Sequence, residues 1–125
     1  DVVVATGLTD NGWVTIDPRT LETRAPQVYA IGDLANTGAP KAGVFAHGQA
    51  ETVAANIAHA WTGRGAPRRF DGYGMCFIEA GSGRAGIGKG DFYAEPTPQV
   101  EVRAPSLFWH AGKVLYEKYW LYRRF

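Results

Sequence analysis

The sequence has little of what small proteins use in place of a core. Its 125 residues hold one cysteine and one methionine. A single thiol excludes an internal disulfide and a self-contained thiol/disulfide pair. Long apolar runs are missing, so no segment reaches the roughly 20 residues of a membrane-spanning helix. An excess of one charge is missing too. Thirteen basic and twelve acidic side chains leave a net charge of +1. No global field points to nucleic acid, and no such partner is expected. Histidines are few: His47 and His59 share one predicted helix and His110 is remote, so they form no metal-ligand set. The start lacks a Met and a cationic lead, and it does not read as a signal peptide.

What is present is apolar surface and flexible backbone: 46% hydrophobic residues, sixteen glycines and seven prolines. That is enough for one domain with a sizeable core, and it argues against disorder. Residues 2–6 form an apolar, largely β-branched run at the very beginning. A buried strand there reads as the edge of a longer chain, the alternative being an N-terminus tucked in as a strand.

The pattern predicts an α+β chain. Strands are expected at 2–6, 13–16, 28–31, 73–80 and 84–88, and helices at about 44–61 and 107–124. Asn11-Gly12 marks a tight hairpin turn, because both positions accept a positive φ. Ala46, Ala50, Val53, Ala54, Ile57 and Trp61 recur at helical spacing and predict the buried face of the first helix. Gly63 and Gly65 end it. Residues 92–105 are rich in proline and read as an extended edge, and Ser106 is a plausible N-cap for the last helix. A division into 1–66 and 67–125 follows from the change in pattern. The first 64 residues carry a net charge of −2, and the remaining 61 carry +3.

The most informative stretch runs from Thr23 to Val44. An apolar strand delivers Gly32 and Asp33 at its carboxyl end, where open α/β sheets bind ligands. Lys41 and the start of a helix at Gly43 and Val44 follow. The amides of a helix start favour an anionic or electron-rich group. Together these residues read either as a polar ligand cradle or as an ordinary strand-loop-helix with Asp33 capping the loop.

Thr23 to Asp33 resembles the second FAD-binding motif of the two-dinucleotide-binding-domain flavoproteins: Thr, four residues, then apolar, Tyr or Phe, Ala, apolar, Gly, Asp. The stretch from Ala39 to Ala46 is similar to the flavin-facing loop of the sulfide:quinone oxidoreductase and flavocytochrome c sulfide dehydrogenase branch. The resemblance covers the whole chain but only the last third of a family member, namely the end of the FAD domain and the C-terminal interface domain. It implies FAD as cofactor, with Asp33 bonded to the ribityl chain and Gly32 making room. The helix start at Gly43 and Val44 would face the pyrimidine edge of the flavin, with Lys41 near flavin and acceptor. Ala42 stands where the branch often has Thr or Ser. The implied activity passes electrons from sulfide or a similar donor to a quinone or haem acceptor. A type II NADH:quinone oxidoreductase-like enzyme is the alternative, and a non-catalytic, dimerising remnant is a third. The first glycine-rich FAD motif is absent, so weak FAD binding or none is expected of this chain alone, and a homodimer is expected because Val2–Val4 and the helix face at Ile57 and Trp61 need partners. The implied locations are the cytoplasm, the periphery of the inner membrane, or the periplasm.

Residues 70–79 resemble the segment in which sulfide:quinone oxidoreductases carry a redox cysteine. Cys76 is therefore either one half of a flavin-proximal pair or a small apolar filler in a strand. His47 either faces a substrate or is a solvated helix residue. On the last helix, Phe108, Ala111, Leu115, Tyr119 and Tyr122 make one stripe beside Lys118, Arg123 and Arg124. Aromatic rings with cations suit a bilayer interface, and a helix packed on its own domain is the other reading. Phe108, Trp109 and Trp120 are the candidates for quinone or membrane contact.

Overall fold

A computed structural model describes residues 5–125. The chain forms two compact units, Asp1–Gly72 and Tyr73–Phe125. Among the described residues there are two α-helices and two antiparallel sheets, of two and three strands. The architecture is mixed α+β, as the pattern predicts.

In the first unit, β1 (Thr9–Asp10) and β2 (Trp13–Val14) are joined by Asn11 and Gly12, both at positive φ (49° and 84°). That is the geometry of the tight hairpin turn whose twist matches the strands. Val14, Ala30 and Ala35 form a buried cluster with Leu8 and Ile16 packed against it. A turn at Pro18 and Thr20 is fastened by Asp17, whose carboxylate accepts the backbone N–H of Thr20 (2.8 Å) and of Arg19 (2.7 Å).

These two bonds hold the Asp17 carboxyl below its ordinary value of 3.8. A carboxyl lowered by folding adds stability that is complete above its unfolded value and lost as pH falls through the folded value. Asp17→Ala is expected to cost roughly 1 kcal/mol at neutral pH. The difference from the parent should shrink toward zero as pH falls below 3.8 and through the lowered folded value. Urea melts of both proteins across that range check this. A difference that does not change with pH would show that the carboxylate is not the group that matters.

Two strand expectations are corrected. Of 2–6, residues 2–4 lie outside the described residues, and Thr6 and Gly7 form a turn in which the Thr6 hydroxyl accepts the Leu8 N–H at 3.2 Å. Residues 28–31 make one isolated bridge, Tyr29 with Glu22, instead of a strand. The cause is local. Leu21 and Gln27 both sit at positive φ (66° and 63°), which breaks the extended run on either side of the pairing. The 13–16 strand is likewise short, with Ile16 contributing only a bridge to Thr23.

Helix α1 spans Gly43–Thr62 and ends at Gly63, whose left-handed φ of 66° lets its N–H reach the His59 carbonyl at 2.9 Å. Its buried residues are Phe45, Gln49 and Thr52. The predicted face is corrected, since Ile57 and Trp61 are exposed, Trp61 at 87%. The segment after α1 returns to this unit. Asn56 bonds the backbone of Arg68 at both its N–H (2.7 Å) and its C=O (3.1 Å). Arg19 reaches the carbonyls of Phe70 and Asp71 at 3.1 and 3.2 Å. The buried Phe70 ring lies against Gly48, where a Cβ would come within 3.2 Å of it.

The second unit is a sheet, β3 (Tyr73–Gly81), β4 (Arg84–Asp91) and β5 (Gln99–Ser106), in that order, followed by α2 (Leu107–Arg124). Ser106 ends β5 and caps α2, its hydroxyl accepting the Trp109 N–H at 3.2 Å. The proline-rich stretch supplies the outer strand, with Pro105 at the register shift between Ala85 and Ile87. Phe77 of β3 meets Tyr116 of α2 at 5.9 Å between ring centres, and Glu79 meets Lys113 at 2.9 Å. Among the described residues, no helix is long and apolar enough to cross a membrane.

Candidate functional site

Several fixed positions of the Thr23–Asp33 stretch have a local structural task. The Thr23 hydroxyl closes its own turn, accepting the Ala25 N–H and donating to the Ala25 carbonyl, both at 3.2 Å. The Tyr29 hydroxyl bonds Glu22 at 3.1 Å. Ala30 is buried in the cluster with Val14 and Ala35. Gly32 adopts a φ of 72°, which only glycine takes without strain, and opens a 3-10 turn, Gly32–Leu34. Asp33 sits in that turn, exposed, and its carboxylate has no partner among the described residues.

The turn rests on α1. A Cβ on Gly32 would lie 3.7 Å from the Ala46 Cβ. The Gly32 N–H donates to Gln49 Oε1 at 2.7 Å. The start of α1 carries no side-chain cap, because its N-cap is Ala42. The Ala42 carbonyl accepts from Phe45 and Ala46, which leaves the amides of Gly43 and Val44 outside the helical ladder. Open space lies over Gly43, with no atom within 4 Å of a Cβ built there. A carboxylate acceptor and two free amide donors are thus carried by elements that touch. This donor set suits a ligand with hydroxyls and an electron-rich ring edge, so the residues fit the ribityl and pyrimidine parts of FAD.

Lys41 is engaged within its own unit. Its ammonium donates to the Ala35 carbonyl and lies 4.3 Å from the centre of the Trp13 ring. These contacts fix the loop that leads into α1. His47 stands 3.1 Å from Glu51, one turn along the same helix.

The other candidates lie in the second unit. Cys76 is half-buried in β3, paired with Gly88 of β4. Burial pushes its thiol up from the ordinary value of 9.0, the opposite of what a nucleophilic thiolate needs. Alkylation by iodoacetamide should therefore be slow at neutral pH and still accelerating above pH 9.0. A rate that levels off near pH 7 would show a lowered thiol. Phe108 is 74% exposed and meets Trp109 edge-on at 5.0 Å. Trp109 and Trp120 are half-buried, Trp120 lying between Tyr116 (6.1 Å) and the Arg124 guanidinium (4.9 Å). Phe108 thus belongs to the outer stripe of α2, whereas Trp120 is tied to Tyr116, a residue in contact with the sheet.

Gln49 is the site residue that sequence reasoning misses. A signal existed: Phe45, Gln49 and Thr52 are spaced four and three apart, which is also one helix face. No protein-family model matches this chain.

Proposed function

We propose that this chain is the flavin-anchoring C-terminal part of an FAD-dependent oxidoreductase of the two-dinucleotide-binding-domain type, nearest the sulfide:quinone oxidoreductase branch. One observation carries the reading. The carboxylate of Asp33, without a partner among the described residues, and the uncapped amides of Gly43 and Val44 lie on elements bonded to each other through Gly32 and Gln49. Asp33 accepts from ribityl hydroxyls, Gly32 lets the backbone come close, and the Gly43 and Val44 amides meet the ring edge. Lys41 holds the loop between them and adds positive charge beside it. Bound FAD supplies two-electron redox chemistry between a donor such as sulfide and a quinone or haem acceptor.

Two features support the proposed partners. The exposed aromatic and basic face of α2 suits peripheral contact with an anionic membrane, such as the inner membrane of a bacterium. The groove of about 460 Å³ lined by Tyr29, Ile57 and Trp61 favours association of two copies of the isolated chain.

The test is titration of the isotope-labelled chain with FAD, followed by amide chemical shifts. Shifts are expected at Gly32, Asp33, Gly43 and Val44, even if binding is weak. Asp33→Ala should weaken the interaction by about tenfold, the worth of one or two hydrogen bonds to a charged group. Shifts confined to other residues, or none at millimolar FAD, would remove the reading.

A further inference from the structure

We propose that Gln49 is a positioning residue that locks the Gly32–Asp33 turn onto α1 and so fixes where the Asp33 carboxylate stands. The ligand in this inference rests on the flavin reading above; the lock does not. Gln49 and Leu21 are the largest fully buried side chains among the described residues, with Gln49 2% exposed. Glutamine is rarely buried so deeply, because its amide loses its bonds to water unless a partner replaces them. Among the described residues the partner is a single backbone group, the Gly32 N–H, which donates to Gln49 Oε1 at 2.7 Å.

That N–H needs an acceptor from elsewhere. Gly32 begins a 3-10 turn, whose first amides have no partner inside the turn. The preceding Ile31 is extended and offers no side-chain cap. Gln49 supplies the acceptor from a residue 17 positions further along the chain. Ala46, three residues before Gln49 on the same helix face, lies close to the same glycine, 3.7 Å from where a Cβ on it would stand. The turn is therefore bonded to α1 at one point and lies against it at a second. The amides of Gly43 and Val44 belong to that same helix. Carboxylate and amides form one rigid set only while the Gln49 bond is made.

The experiment uses the isotope-labelled full chain, with amide exchange and FAD titration measured side by side. Gln49→Met keeps length and removes the acceptor. Gln49→Glu keeps an acceptor at the same reach. The Gly63 amide, bonded to His59, reports whether α1 is intact. In Gln49→Met, exchange at Gly32 should rise by about tenfold or more, the usual worth of one buried hydrogen bond, while Gly63 stays unchanged. The FAD dissociation constant should rise by a similar factor, and Gln49→Glu should recover much of the loss.

Unchanged exchange at Gly32 overturns the proposal. So does faster exchange with unaltered FAD affinity, because the lock would then not matter to the ligand. If the parent chain itself shows no FAD shift, the flavin reading fails, and Gly32 against Gly63 still decides the lock. If Gln49→Met also loses protection at Gly63, the parent chain decides: a Gly32 amide that exchanges at the unprotected rate overturns the proposal.

Discussion

Gly90→Ala is expected to dislodge the outer strand of the three-stranded sheet, whereas Gly88→Ala, two residues earlier in the same strand, should be nearly neutral. A Cβ on Gly90 would lie 2.2 Å from the Gln99 carbonyl oxygen and 2.8 Å from the Val100 Cα. Both are backbone atoms of β5, so no side-chain rotation relieves the clash. The strand itself has to move. A Cβ on Gly88 would meet only the Cδ1 of Ile78, at 3.5 Å, an ordinary contact. Gly86 is intermediate, at 2.8 Å from the Arg103 carbonyl oxygen.

The effect at Gly90 spreads because Ser106 both ends β5 and caps α2. Displacing β5 therefore loosens the start of the helix as well. We expect a loss of about 3 kcal/mol for Gly90→Ala and less than about 1 kcal/mol for Gly88→Ala, with Gly86→Ala between them. For a unit of this size the first corresponds to a fall in Tm on the order of 10 °C or more. Thermal melts of the three variants check the order. Equal losses at Gly88 and Gly90 would show that the glycines serve backbone flexibility and not the close approach of β5.

The sequence made some of this legible and hid the rest for physical reasons. Asn11-Gly12 and Gly63 were readable because each demands a positive φ that few residues tolerate. Ser106 was readable because a cap acts on the three residues that follow it. Gly32 and Asp33 stand out through a pattern of fixed residues, although the strand expected to deliver them is reduced to one bridge. What stayed hidden depends on partners distant in sequence. Gln49 is polar and lies off the face that Ala46, Ala50, Val53, Ala54, Ile57 and Trp61 predict, and its partner is an amide 17 residues away. The alanine and tryptophan positions of α1 looked like a core face, yet Phe45, Gln49 and Thr52 took that place once Phe70 folded back against Gly48. The 28–31 run has the composition of a strand, but the positive φ of Leu21 and Gln27 interrupts the extended backbone beside its one bridge.

The last expectation concerns the outer face of α2. At 100° per residue, Phe108, Ala111, Leu115, Tyr119 and Tyr122 fall within an arc of about 80°. Within this unit the arc points away from the sheet, because Gly112, Lys113 and Tyr116 are the residues in contact with Phe77 and Glu79. Its members are exposed, Tyr122 at 87%. Lys118 flanks the arc on one side and Arg123 on the other, both exposed and without partners among the described residues. Glu117 lies on the far side of the helix, within 3.7 Å of Lys113. Apolar rings between two cations, with the acid turned away, are the arrangement of a helix lying in the surface of an anionic bilayer. Each cation near such a surface contributes about 1 kcal/mol. Lys118→Glu with Arg123→Glu should therefore weaken partitioning into vesicles containing phosphatidylserine by at least about 30-fold. Leu115→Ser with Tyr122→Ser should weaken it at every salt concentration, because it removes the apolar contribution. Raising the salt to about 0.5 M should remove most of the difference between the parent and the charge-reversed chain, since screening then acts within a few ångströms. Vesicle co-sedimentation measures all three. Equal binding of the parent chain to phosphatidylserine and to purely zwitterionic vesicles would remove the charge argument, and no binding to either would leave the stripe as a surface for protein.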